Sequence, residues 1–321
     1  MATPWISLRR SSAAAIVALA ALASGCGGGS SPDAPAASEF PSPEGRTLEE
    51  LAMDAEPSDL VVSPSEQVFS PGRSRYGFGV FTVRHGNVPD AQVALYVARP
   101  EGKAVGPFPA TAAALATAPA FRSQTTSGDP DAATAVYTAD VDLAGNGEWR
   151  LMAMFREDDG SYTTTLVPSA VVGRFPDIPE VGERAPVIHT PTAADVGGDL
   201  TKIDTRQPPD TMHDVDYADV VGKEPVVLLL ATPALCMSRV CGPVVDIAEE
   251  VKSARPDDAV FIHSEIYEEN VPGKGPNEQV RAFGLKSEPW LFVIDREGRI
   301  STRIEGAFSA EELNAAIDKA Q

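Results

Sequence analysis

The sequence predicts an α/β domain at its C-terminal end, over residues 176–321, preceded by an all-β sandwich over residues 60–175. Three observations carry this. Short runs of alternating apolar residues, separated by Gly, Asn and Asp turns, fill the stretch from 60 to 175. From Val226 to Ala231 the chain is continuously apolar and rich in Val and Leu, far too short for a membrane span, as expected of a strand buried on both faces. Behind that run, Cys236 and Cys241 stand just before a helical pattern, and a strand, helix, strand, strand and helix follow.

The N-terminus reads as a targeting segment. Arg9 and Arg10 are followed by an alanine-rich apolar stretch from Ser11 to Ala23. It ends in ALASGC, which resembles a bacterial lipobox and implies that residues 1–26 are a lipoprotein signal with Cys26 as the lipidated residue. Leu22 stands four residues before that cysteine, with Ala23 in the position the motif usually gives to leucine. A plain secretory signal cut near Ala23 is the alternative. Both imply export to an oxidising, extracytoplasmic compartment, and a lipid on Cys26 would anchor the chain to the cell membrane. Residues 27–59 are poor in aromatics and rich in Gly, Ser, Pro and Ala, so a disordered linker is expected, with at most a short helical turn from Leu48 to Ala55.

In the sandwich, Tyr76, Phe78, Val80 and Thr82 alternate, as do Val93, Leu95 and Val97, and Trp149, Leu151, Ala153 and Phe155. Further runs extend from Val136 to Leu143 and from Tyr162 to Val172. Asn146-Gly147 and Asp159-Gly160 are hairpin dipeptides. The pattern resembles the immunoglobulin-like domains of exported bacterial proteins, in architecture alone because no cysteine pair accompanies it. Residues 101–133 are expected to form a long loop. Met152 and Met154 alternate on one strand and are expected to pack in a core rather than hold copper.

In the C-terminal domain, Val244, Ile247, Ala248 and Val251 recur at helical spacing, with Pro243 suited to the first turn. Strands are expected from Ala259 to Ile266, Trp290 to Ile294 and Arg299 to Ile304, and a short helix from Asn277 to Phe283. Ser309 and Glu312 form a capping box for the last helix. Residues 187–224 show no periodicity and read as irregular.

The segments VVLLLATPALC, the helix after Cys241, and GLKSEPWLFVIDREGRI are similar to the thioredoxin superfamily as exported lipoproteins carry it. The resemblance covers about residues 180–321. It implies that Cys236 is a nucleophile, that Cys241 resolves the mixed disulfide, and that Pro289 is the cis-proline facing them. It also implies thiol–disulfide redox chemistry on exported proteins with cysteines. The sequence departs from the family at the cysteines, which stand as C-x4-C rather than C-x2-C. In a regular helix, residues five apart have α-carbons about 8–9 Å apart, beyond the reach of an unstrained disulfide. A bonded pair therefore requires a non-helical turn between them.

Two alternatives stand beside redox exchange. One is a non-catalytic binding module with a structural disulfide. The other is copper handling by the two thiolates with Met237 or a histidine, although neither His213 nor His263 has ligand spacing to the cysteines. Asp214, Asp216 and Asp219 near His213 could take a cation, but solvated loop charge is the expected role. Glu265, Glu268 and Glu269 could form an acidic rim that selects basic partners, with plain surface charge as the ordinary reading. A formal charge of −20 argues against nucleic acid as a partner. No phosphate-binding or dinucleotide motif occurs, and no cofactor is expected.

Overall fold

Side-chain alternation decides the first half of the chain. The computed structural model describes Met1, residues 34–236 and residues 238–321, so the signal sequence, Cys26 and the start of the linker lie outside the described residues. The described residues from 34 onward belong to one compact unit. A short helix, α1 (Leu48–Ala52), leads into β1 (Glu56–Pro57), β2 (Leu60–Pro64), β3 (Gly72–Thr82), β4 (Gln92–Ala98), β5 (Val105–Pro109) and β6 (Thr111–Ala114). Then follow α2 (Gln124–Gly128), β7 (Ala135–Leu143), β8 (Gly147–Arg156) and β9 (Tyr162–Val172). Two sheets result, ordered β1-β9-β8-β4-β5 and β2-β3-β7-β6. Phe78, Val80, Val93, Leu95, Tyr137 and Leu151 join one apolar cluster fed by both sheets, which makes this part a β-sandwich.

Two expectations change here. The stretch at 101–133 is not a bare loop: it holds β5, β6 and α2. Pro107 and Pro109 hide β5, and prolines are tolerated there because it is an edge strand. The linker expected at 27–59 is, from residue 34 on, partly packed against the sandwich. The outward residues of β4 and β8 are themselves apolar (Ala94, Tyr96, Ala98, Met152 and Met154), and Phe40, Leu48 and Leu51 bury them. Tyr96 Oη donates to the Pro41 carbonyl at 2.7 Å, and Thr47 and Glu50 cap α1 reciprocally. Met152 and Met154 are core residues, as expected.

The second half contains α3 (Tyr217–Val220), β10 (Val226–Leu230), α4 (Cys241–Ala254) and β11 (Val260–Ser264). It ends with α5 (Glu278–Ala282), β12 (Trp290–Ile294), β13 (Ile300–Glu305) and α6 (Ala310–Lys319). The sheet order is β11-β10-β12-β13, with β10 parallel to β11 and antiparallel to β12, and β12 antiparallel to β13. This is the order of a thioredoxin-like α/β fold. All five residues of β10 are buried because both faces are covered. Val227 and Leu229 face α4 and α6; Val226, Leu228 and Leu230 face Tyr217, Phe283 and Phe292. Among the described residues, no helix is long and apolar enough to cross a membrane.

The two halves share a core. Ala113, Leu115, Ala133 and Val136 of the sandwich pack into the cluster built on α4 and α6. Arg75 on β3 pairs with the buried Glu66, with Glu312 at 2.6 Å, and donates to the Ala307 carbonyl at 2.7 Å. Gly306, at φ +78°, presses on Ser65, and a Cβ there would collide with the Ser65 carbonyl oxygen.

Arg75→Ala should leave Glu66 buried without its partner and cost about 3 kcal/mol, read as a lower midpoint in a thermal melt followed by circular dichroism. Gly306→Ala adds a left-handed strain to a backbone clash and should cost roughly 3 kcal/mol or more. Chemical denaturation would show it, and an unchanged midpoint would mean the junction is looser than its geometry.

Candidate functional site

The end of β10 delivers the chain into an irregular turn, and α4 begins again only at Cys241. Cys236 and Cys241 are joined by a disulfide, with their α-carbons 6.0 Å apart. That separation lies within ordinary disulfide reach and well short of the helical spacing, and Ser238, Arg239 and Val240 stand outside the helix as a bonded pair requires. Arg239 takes a left-handed conformation, φ +61°. The sandwich holds this turn: Ala133 N–H donates to the Arg239 carbonyl at 3.1 Å, and Arg239 pairs with Asp131 at 2.5 Å.

The two sulfurs are not equivalent. Cys241 is fully buried, while Cys236 is half-buried. The first N–H of α4, that of Cys241, donates to Cys236 Sγ at 3.4 Å. Ser238 Oγ lies 3.1 Å from Cys236 Sγ and donates to the Glu288 carbonyl at 3.4 Å. Glu288–Pro289 is a cis peptide, so the turn that carries Cys236 abuts the residue before the cis-proline. The structure thus brings the vicinity of Cys236, Cys241 and Pro289 together. Trp290 is a buried core residue, stacked on Phe292 at 5.5 Å with its indole N–H donating to Ser287 Oγ at 3.1 Å.

Pro289 is itself held from behind. Gly306 N–H donates to the Pro289 carbonyl at 2.8 Å. Next to it, Glu305 accepts the backbone N–H groups of Gln67 and Val68, each at 2.8 Å, and a hydrogen bond from Ser287. Burial raises the Glu305 carboxyl above its usual range, outweighing those three donors. Beside the turn, a cavity of about 470 Å³ lies between β2, β3 and β7 of the sandwich and Ser238, Arg239 and Ala307.

Behind α4 lie polar groups whose partnership the sequence did not disclose. Asp246, on the helix, pairs with Arg206 at 2.9 Å and accepts from Ser123 N–H at 3.0 Å, all three residues being buried. Arg206 also donates to the carbonyls of Phe121 and Pro208. Further on, Asp204, Asp210, His213 and His263 converge in the interior. Burial disfavours charge on both Asp210 and His263. Their mutual attraction outweighs it, lowering the aspartate and raising the histidine. Glu265 is buried, which raises its carboxyl against the opposing influence of His263.

These placements bear on three of the alternatives weighed above. His213 does not meet Asp214, Asp216 and Asp219 as a group. Asp216 instead caps α3, accepting from Ala218 N–H at 3.1 Å, and bonds His189. Glu265 is interior, while Glu268 and Glu269 are on the outside, so the three meet as the inner end and the mouth of one cavity and not as a surface rim. Neither cysteine belongs to the histidine-containing group, and the two sulfurs bond each other.

No family model matches the chain, and no curated protein matches it. Among solved structures it is similar to a thiol:disulfide interchange protein DsbE from Chlorobium tepidum, at 18% identity and a TM-score of 0.31, over 44% of this chain and 98% of that one. It is also similar to a thioredoxin family thiol:disulfide interchange protein from Chlorobium tepidum TLS, at 20% identity and a TM-score of 0.29, over 44% and 97%. A thioredoxin-like superfamily protein aligns at 17% identity and a TM-score of 0.29, over 42% and 95%. The assignment of the α/β half to the thioredoxin-like fold rests on its strand order and register.

Glu305 gives a pH test. Its folded-state affinity for a proton exceeds its unfolded one, so its contribution is full below the unfolded value and is lost as pH rises from there through the higher folded value. Glu305→Gln keeps an oxygen for the two N–H groups and removes the charge. The variant should melt with the wild type near about pH 4 and above it near about pH 7; a variant that melts lower at pH 7 would show that the ionised carboxylate is stabilising there.

Proposed function

We propose that the chain is an exported protein, lipid-anchored at Cys26, whose thioredoxin-like domain exchanges disulfides with cysteine-containing exported proteins. The sandwich is read as an immunoglobulin-like part that supports the redox turn and helps shape the groove beside it. The observation that carries this reading is the N–H of Cys241, at the start of a 14-residue helix, directed at the sulfur of the half-buried Cys236. A donor and a helix N-terminus both favour a thiolate at that position.

The exchange balances without another reagent. A substrate thiolate attacks Cys236 Sγ, forming a mixed disulfide and breaking the bond to Cys241, whose sulfur leaves as a thiolate and takes a proton. The second substrate thiolate then attacks the mixed disulfide, releasing reduced Cys236 and an oxidised substrate. The reverse sequence reduces a substrate disulfide at the expense of the dithiol. Pro289 shapes the substrate groove, and Ser238 Oγ turns its hydrogen to Cys236 when that sulfur becomes anionic.

A second reading, a binding module with a static disulfide, is favoured by the way Asp131 and Ala133 hold Arg239 inside the turn. The reduction potential separates the two. Redox exchange requires a value of about −270 to −180 mV, whereas a staple resists reduction below about −300 mV. Glutathione equilibration followed by alkylation and mass spectrometry measures it. Cys241→Ser should accumulate mixed disulfides through Cys236, and Cys236→Ser should accumulate none. Equal melting losses in both variants with no trapped species would favour the staple.

A further inference from the structure

The group formed by Asp204, Asp210, His213 and His263 poses a problem of charge and of lone pairs. His263 Nε2 lies 3.2 Å from the Ala231 carbonyl oxygen, which can only accept, so Nε2 carries a hydrogen. In the neutral ring, Nδ1 then presents a lone pair to Asp210 Oδ2 at 2.7 Å, itself an acceptor. Either a proton, which makes the ring an imidazolium, or a metal ion meets these two lone pairs. His213 Nε2 sits 3.3 Å from Asp204 Oδ2 and 3.3 Å from Asp210 Oδ1. These contacts are long for charge-assisted hydrogen bonds, whose usual range is about 2.7–2.9 Å. They match the edge of a tetrahedron with metal–ligand bonds of about 2.0–2.1 Å, which is roughly 3.3–3.4 Å. His263 Nδ1 faces the other oxygen of each carboxylate, 2.7 Å from Asp210 Oδ2 and 4.0 Å from Asp204 Oδ1, and one ligand atom from each residue lies within 4.8 Å of the others.

We propose that Asp204, Asp210, His213 and His263 form a binding site for a divalent transition-metal ion with zinc's preference for four nitrogen and oxygen ligands. With the imidazoles bound as neutral ligands, the two carboxylates carry the −2 charge that such an ion cancels, and binding releases any proton held at His263 Nδ1. Arg206, the nearby buried guanidinium, is already committed to Asp246.

The surroundings orient the ligands as a metal site requires. Asp204 accepts from Arg206 N–H and Asp210 N–H, each at 2.7 Å, and Asp210 Oδ1 accepts from Met212 N–H at 2.8 Å. His263 N–H donates to the Met212 carbonyl at 3.0 Å, which pins the loop carrying three ligands to β11. The Nδ1 of His213 is buried with no hydrogen-bond partner in the protein. An entry path exists. A cavity of about 360 Å³ reaches both imidazoles and is lined by Glu265, Glu268, Glu269 and Glu278, against the two cations Lys202 and Arg281. Neither cysteine takes part, so the site is independent of the redox reading.

The test uses the purified full-length chain, loaded with zinc and dialysed against a competing chelator, with metal counted by plasma mass spectrometry. One zinc per chain is expected. His213→Ala and Asp204→Ala should weaken binding at least about 100-fold, while the Cys236→Ser/Cys241→Ser double variant keeps it. Cobalt(II) added to the wild type needs no variant to fold. It should give the strong visible bands of a four-coordinate site without a thiolate charge-transfer band. Failure of the folded wild type to retain zinc, a weak six-coordinate cobalt spectrum, or loss of metal on removing the cysteines would each overturn the proposal.

Discussion

The junction at the end of β13 is the constraint on which the rest depends. Glu305 and Gly306 are adjacent residues with opposite duties. The carboxylate of Glu305 reaches across to the sandwich and takes two of its backbone N–H groups, while Gly306 presents no side chain and lets Ser65 come into contact. The same glycine donates its own N–H to the Pro289 carbonyl. Sandwich and cis-proline are thereby registered through one dipeptide. A side chain at 306 would push them apart, and an apolar residue at 305 would strand two part-buried donors. Arg75 supports the arrangement from β3 by pairing with Glu312, which also caps α6 reciprocally with Ser309.

The cysteine turn sits between the same two bodies. One wall is the sandwich, through Asp131 and Ala133, and the other is the residue before Pro289, through Ser238. Four residues between the cysteines leave more chain than a C-x2-C turn would. The excess is taken up at Arg239, whose left-handed backbone reverses the chain before α4 begins. A long turn would ordinarily be mobile, but here its carbonyl and its guanidinium are both engaged. The sandwich therefore does for this turn what sequence-local helix structure does for a shorter one.

Much of this arrangement was legible in the chain. Val226 to Ala231 announced a strand covered on both sides, Asn146-Gly147 and Asp159-Gly160 marked the hairpins, and Ser309 with Glu312 marked the last helix. Pro289 was legible through its place before an apolar strand. What escaped has physical reasons. Phe40, Leu48 and Leu51 are three apolar residues in a polar stretch, with no periodicity of their own. Their role appears only once the outer face of β4 is seen to need covering. Apart from α3 and one short turn, the stretch 187–224 has no regular structure, and its polar groups are satisfied over long separations. Asp246 lies forty residues beyond Arg206, and His263 fifty-three beyond Asp210. Spacing rules describe neighbours in sequence, and His213 lay near acidic residues at 214, 216 and 219 that turn elsewhere.

The interior polar groups also explain why an irregular segment can be held so firmly. Residues 204–213 contribute no strand to the sheet, yet Asp204 and Asp210 accept backbone N–H groups from within the segment and fold it on itself. Arg206 then locks it to α4 through Asp246, and His263 locks it to β11. Buried charges are costly alone and tolerable when each has a partner. Their use here binds the helix that carries Cys241 to a strand on the far side of β10. Any displacement of α4 at the cysteine turn must therefore move Asp246, and with it Arg206 and the loop that presents Asp204 and Asp210 to the two histidines.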